Sequence, residues 1–239
     1  MINKMFGHIL LIGLVLGFAA GCATKSSSGE VDVRPAPRPS GEVVQSTRTN
    51  SWSADWKPLF DGKSMRNWAT TDFAGGIAAK VEKGAIQIEA GAELSGITWT
   101  NGSLPKINYE LALDAMKVQG SDFFCGLTFP VRNSFCSLIL GGWGGSVVGL
   151  SSIDGMDASE NETTKSLYFP PDKWCHVRVR VTDKKIETWL DNDLIIDVPI
   201  ENREVAMRFG EIYKSKPLGI ATYTTSSAVK NIQLRLVNP

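Results

Sequence analysis

Beyond residue 56, apolar and polar residues alternate with a period of two along much of the chain. Ile107, Tyr109, Leu111 and Leu113 fall on one face of an extended segment, with Asn108, Glu110, Ala112 and Asp114 on the other. Near the end, Ile232, Leu234 and Leu236 alternate with Asn231, Gln233 and Arg235. No window of helical length carries a sustained 3.6-residue stripe. Many short alternating runs, separated by Gly, Asp, Asn and Pro, predict an all-β domain built as an antiparallel sandwich or barrel.

Two hairpins can be placed in register by counting outward from their turns. A turn at Arg132-Asn133 puts Phe123, Cys125, Leu127 and Phe129 on one face with Cys136, Leu138 and Leu140, and sets Cys125 opposite Leu140. Cys125 and Cys136 are then too far apart along the ladder for a bridge, and both read as small buried apolar residues. A turn at Asp183-Lys184 sets Val177, Val179 and Val181 against Leu190, Thr188 and Ile186 on the core side, with Cys175 in line. On the opposite face Arg180 meets Glu187, Arg178 meets Trp189 and His176 meets Asp191. A guanidinium over an indole and opposite charges suit cross-strand neighbours. This face reads either as a well-paired outer sheet surface or as a polar binding face with Trp189 as a platform for a sugar.

The N-terminal pattern is different. Lys4 precedes an apolar run from Ile9 to Ala20, and Ala19, Ala20 and Gly21 lead into Cys22. A charged start, a short apolar core and small residues at a cut site make an export signal over 1–21, too short for a permanent span. The cysteine at the cut resembles the bacterial lipoprotein signal, which implies lipidation at Cys22 and a membrane anchor of acyl chains. Ala23 at the next position, where a retaining signal has Asp, points to the outer membrane. Residues 22–55 are rich in Ser, Thr, Pro and charge, with little to bury, and read as a flexible tether reaching on the order of 100 Å when extended. Residues 56–237 carry apolar and aromatic residues throughout and read as one domain.

Charge and residue usage mainly exclude. The chain has 25 basic and 25 acidic side chains, and loss of Lys4 with the signal leaves a balance of −1. With no basic run, neither nucleic acid nor an anionic membrane surface is an expected partner. A neutral partner such as a sugar fits. His176 is the one histidine left once His8 is removed, so a His-rich zinc site is excluded. No phosphate loop, dinucleotide fingerprint or Cys-x-x-Cys pair is present, so a nucleotide cofactor is not expected.

Several segments resemble the 3-keto-disaccharide hydrolase domain family. They are Leu59-Phe60-Asp61-Gly62-Lys63 followed by Trp68, Val81-Glu82-Lys83-Gly84-Ala85-Ile86, Tyr109-Glu110-Leu111, Trp174 with its alternating strand, Trp189-Leu190-Asp191-Asn192, and Pro217-Leu218-Gly219-Ile220. The resemblance implies a concanavalin A-like (laminin G-like) jelly roll of two curved sheets with a ligand cleft. It also implies carbohydrate as the substrate class, with 3-keto glycosides hydrolysed or eliminated. Many members carry a central strand like "YEVQILD" that supplies carboxylates. The corresponding residues here, Phe135 to Gly141, include none.

Two segments are candidates for chemistry. Gly141-Gly142-Trp143-Gly144-Gly145 allows a sharp bend and could leave the indole of Trp143 open to stack on a sugar. Asp154, Asp157, Glu160 and Glu162 place four carboxylates within nine residues. Paired carboxylates suit glycoside cleavage, and a base suits proton abstraction beside a ketone. The same loop could hold a divalent cation such as Ca²⁺, although its spacing is not that of an EF-hand. The expectation is a glycoside hydrolase or lyase with Asp154, Asp157, Glu160 and Glu162 as acid and base. Trp143, His176, Arg178 and Trp189 are expected to bind the sugar. The alternatives are a non-catalytic carbohydrate-binding module and a structural surface lipoprotein of the same fold.

Overall fold

Two patterned faces per strand, one greasy and one polar, need a second sheet to cover the greasy one. The computed structural model describes residues 56–238, so the export signal, Cys22 and the tether lie outside the described residues. The strands are β1 (Lys57–Pro58), β2 (Trp68–Thr70), β3 (Lys80–Glu82), β4 (Ala85–Ile88), β5 (Leu94–Trp99), β6 (Tyr109–Gly120), β7 (Cys125–Val131) and β8 (Ser134–Gly141). They continue as β9 (Val147–Ser151), β10 (Lys165–Ser166), β11 (Trp174–Val181), β12 (Lys185–Leu190), β13 (Asp193–Pro199), β14 (Gly219–Tyr223) and β15 (Thr225–Leu236). One sheet runs β13-β12-β11-β6-β15-β4-β3, with β1 also paired to β15; the other runs β10-β9-β8-β7-β14-β5-β2. All the strand pairs are antiparallel.

The chain passes from one sheet to the other at β1–β2, β2–β3, β4–β5, β5–β6, β6–β7, β10–β11, β13–β14 and β14–β15. The central strands of the two sheets, β6-β15-β4 and β7-β14-β5, are thereby wound as a pair. This is an antiparallel jelly-roll sandwich, as the alternation and the resemblance predict. Leu111, Leu113, Val177, Val179 and Ile186 from the first sheet meet Ile97, Leu127, Leu138, Leu150 and Ile220 from the second in one continuous core.

Both hairpin registers agree with the count from the turns. Cys125 pairs with Leu140 and Phe129 with Cys136. Val177, Arg178, Val179 and Arg180 pair with Leu190, Trp189, Thr188 and Glu187. One detail differs from the sequence reading and another goes beyond it. Strand β7 starts at Cys125, so Phe124 takes the core position and Phe123 turns to the outer face, its ring against Gly126, where a Cβ would come within 3.0 Å of it. Glu110, Ala112 and Asp114, which the alternation places on the face opposite Tyr109, Leu111 and Leu113, are buried there beneath side chains from neighbouring strands.

Cys125, Cys136 and Cys175 are all unbridged. Burial pushes the Cys136 and Cys175 thiols up to about 12 and the Cys125 thiol higher still. At neutral pH the native protein should therefore leave all three unalkylated by iodoacetamide over minutes, and denaturant should expose them together. Peptide mapping by mass spectrometry reads the outcome; rapid native labelling at any of the three would contradict it.

Candidate functional site

Outward-facing residues of the second sheet form the floor of a cleft. Leu94 on β5, Ser137 and Ile139 on β8, Ser151 on β9 and Tyr223 on β14 line it from below. Loop residues wall it: Glu93, Asp122, Phe123 and Trp143 among them, with Arg208, Phe209, Glu211 and Ile212. Its volume of about 420 Å³ lies in the range of small-ligand sites.

The glycine-rich turn places Trp143. Gly141, Gly144 and Gly145 have φ of +79°, +87° and +104°, and Trp143 itself has φ of +48°. Positive φ suits glycine and lets the chain reverse between β8 and β9 within a few residues. Gly145 also needs its bare Cα, because a Cβ would lie 3.1 Å from the Ser121 carbonyl oxygen. Asp122 clamps the turn, its carboxylate accepting the backbone N–H of Phe123 at 2.8 Å and of Gly144 at 3.1 Å. The indole is left 42% exposed at the cleft. The Phe123 and Tyr223 rings, 6.0 Å apart, continue this aromatic wall, and Phe209 lines the cleft from a loop where it is 90% exposed.

Charge at the cleft is organised in pairs. The Ser151 hydroxyl donates a hydrogen bond to Asp157, whose other oxygen lies 3.0 Å from Arg208 Nη1. Asp157 therefore sits directly behind two cleft residues and orients both. Glu211 accepts from Lys214 at 2.7 Å and from the Ala74 backbone at 3.2 Å. Those bonds, Lys214 first, hold its carboxyl below the usual range.

The acidic segment is not a loose loop. Asn161 folds it, donating from its amide to the carbonyls of Leu150, Met156 and Asp157 at 2.8, 3.0 and 2.8 Å. Asp154 and Glu162 both bind Arg203, and Asp154 also accepts the backbone N–H of Glu204 at 2.9 Å. The Arg203 hydrogen bonds are the main reason both carboxyls lie below their ordinary values. Neither residue lines the cleft, and nor does the exposed Glu160. Of the four carboxylates, Asp157 alone contacts cleft residues.

His176, Arg178 and Trp189 lie on the outer face of the first sheet, across the core from Trp143. There Glu110, fully buried, accepts Arg178 at 3.0 Å, Arg180 at 2.6 Å and Arg235 at 2.8 Å. Arg178 also stacks 3.7 Å over Trp189, so that this ring face is covered by a cation. His176 Nδ1 lies 2.7 Å from Asp114, whose other oxygen accepts Asn231 at 2.7 Å. The sequence candidates thus divide between two opposite faces, and the polar pairs on the first sheet bind one another.

Asp122, Glu93, Ser151, Arg208, Phe209 and Tyr223 were not among the sequence candidates. They come from five separate stretches of chain, and only the sandwich winding joins them. The outward phase of Ser137 and Ser151 on apolar strands was the one local clue. Among the described residues, no three His, Cys, Asp or Glu side chains converge as a metal site. In the acidic loop, Arg203 occupies two of the carboxylates, Asp154 and Glu162.

A two-sheet jelly roll with an aromatic-walled cleft on one outer face is a sandwich domain of the glycoside hydrolase-like or carbohydrate-binding type. The chain belongs to the 3-keto-alpha-glucoside-1,2-lyase-like domain family, which matches residues 55–235. Among solved structures it is similar to the Crh5 transglycosylase in complex with NAG, at 9% identity over 77% of this chain and 86% of that one, with a TM-score of 0.53. Carbohydrate-binding module CBM66 from Bacillus subtilis matches at 13% identity, covering 71% and 95%, with a TM-score of 0.48. A glycosyl hydrolase family protein from Mycobacterium fortuitum matches at 10% identity, covering 75% and 97%, with a TM-score of 0.46. Among curated protein sequences, none matches the chain.

Proposed function

We propose that the domain cleaves 3-keto glycosides in this cleft, outside the cytoplasm and tethered by lipid on Cys22. The observation that carries the reading is the Ser151–Asp157–Arg208 group placed in the same cleft as the aromatic wall. A ketone at C3 acidifies the proton on C2. In this scheme the C2 proton passes through the Ser151 hydroxyl to the Asp157 carboxylate, and the guanidinium of Arg208 stabilises the enolate oxygen. The C1–C2 double bond then forms as the C1–O bond breaks. The departing oxygen takes up the proton, leaving an unsaturated keto sugar and a free alcohol. Trp143 and Tyr223 hold the sugar ring during these steps.

A carbohydrate-binding role without catalysis is the second reading, favoured by one observation. The floor positions on β8 are Ser137 and Ile139, and Asp154 and Glu162 are occupied by Arg203, which leaves few carboxylates free to react. Incubating the full chain with aryl 3-keto glucosides and their unoxidised parents separates the two. Aryl alcohol should be released from the keto substrates alone, and Trp143→Ala should lower kcat/KM by roughly tenfold or more through lost stacking. Sugar binding with no release from either substrate would establish the binding module instead.

A further inference from the structure

On the reading that the cleft takes a sugar, we infer that its aromatic end selects by charge: it favours a protonated amino sugar over a neutral one and rejects an anionic one, with Glu93 as the discriminating residue. The groups at this end are joined by short bonds. Asp122 fixes the turn bearing Trp143, the Tyr223 N–H donates to the Phe123 carbonyl at 3.0 Å, and the Thr224 N–H donates to the Glu93 carbonyl at 2.9 Å. Glu93 and Asp122 therefore flank the rings of Phe123, Trp143 and Tyr223.

In the free cleft the positive charges are paired. Arg208 faces Asp157 at 3.0 Å and Lys214 faces Glu211 at 2.7 Å, so those two pairs cancel. What is left is the negative charge of Glu93 and Asp122 in a chain whose overall charge is zero. Both Asp122 oxygens already accept backbone N–H groups, whereas Glu93 has no ion-pair partner among the described residues. Glu93 is the acceptor available to an ammonium group on a sugar stacked against Trp143. A carboxylate or sulfate in the same place would meet two like charges, with the one lining cation, Arg208, already paired to Asp157, beside apolar rings that weaken solvent screening.

The test is calorimetric titration of the full chain at low ionic strength and mildly acidic pH. The probes are methyl glucoside, methyl glucosaminide and methyl glucuronide, each as parent and as 3-keto form. The expected order is glucosaminide, glucoside, glucuronide, with about a tenfold difference between the two charged sugars. That difference should shrink toward about threefold at roughly 0.5 M salt, where screening is short-ranged. Glu93→Gln should shrink it at low salt as well, and Glu93→Asp should largely keep it. Equal affinities, a reversed order, or a difference that ignores both salt and Glu93→Gln would overturn charge selection while leaving the sugar site intact. If none of the six sugars binds, the sugar reading fails and charge selection fails with it.

Discussion

Glu110→Ala should cost the domain about 3 kcal/mol, measured by urea denaturation followed by tryptophan fluorescence. Glu110 is fully buried near the start of β6 and binds three guanidiniums, those of Arg178, Arg180 and Arg235, from the strands on either side. Alanine would leave Arg178 without its carboxylate and Arg180 with only Glu187, 3.5 Å away, while the clustered guanidiniums repel one another. The loss falls at the lower end of the range for broken buried pairs because each arginine keeps part of its side chain in water. Glu110→Gln should be milder, since the amide oxygen still accepts one or two of the hydrogen bonds. A loss below about 1 kcal/mol for the alanine variant would mean that the arginines rehydrate freely, and that Glu110 contributes little.

The same carboxylate sets a pH dependence. Burial alone would raise its pKa, but the hydrogen bonds from Arg180 and Arg235 and the charge of Arg178 outweigh that effect and hold it below 4.5. In the unfolded chain the carboxyl returns to an ordinary value. The native state therefore binds its proton at lower pH than the unfolded state. The stabilisation from Glu110 is fully present above the unfolded pKa and is lost as pH falls through the folded one. Wild type and Glu110→Gln should differ by a constant amount near neutrality and approach each other only in acid.

Alternation and turn chemistry are enough for the sandwich and for the register of both hairpins, because a period of two leaves one choice once Arg132-Asn133 and Asp183-Lys184 are taken as turns. They also point to Arg178 over Trp189, a contact between directly opposed residues. They fail where partners are far apart in sequence. Glu110 reads only as one residue of a polar face, because nothing in its own strand shows that Arg178, Arg180 and Arg235 will converge on it. Asp154 and Glu162 read as reactive because their partner, Arg203, lies 49 and 41 residues on and in another loop. Trp143 is the counter-example. Glycines at 141, 142, 144 and 145 are a local signal of an exposed reversal, and the structure puts that indole at the cleft.

Asp157→Asn should lower kcat on 3-keto glucosides by about 100-fold, the usual scale for losing a positioned proton acceptor, while leaving sugar affinity within a few-fold. Asparagine keeps the shape and can still accept the Ser151 hydroxyl, but it takes up no proton and no longer pairs with Arg208. Ser151→Ala should show a similar kcat loss if the proton travels through that hydroxyl, and the double variant should lose little more than either single one. Arg208→Gln tests the enolate separately. It should reduce kcat in its own right, and its effect should add to that of Ser151→Ala, provided that proton transfer and oxyanion stabilisation are distinct. The contrast with Trp143→Ala decides between roles, since that change should weaken binding as well as turnover. Full activity in Asp157→Asn would remove the Ser151–Asp157–Arg208 group from the chemistry and shift attention to Asp122 and Glu93, the carboxylates on the aromatic side of the same cleft.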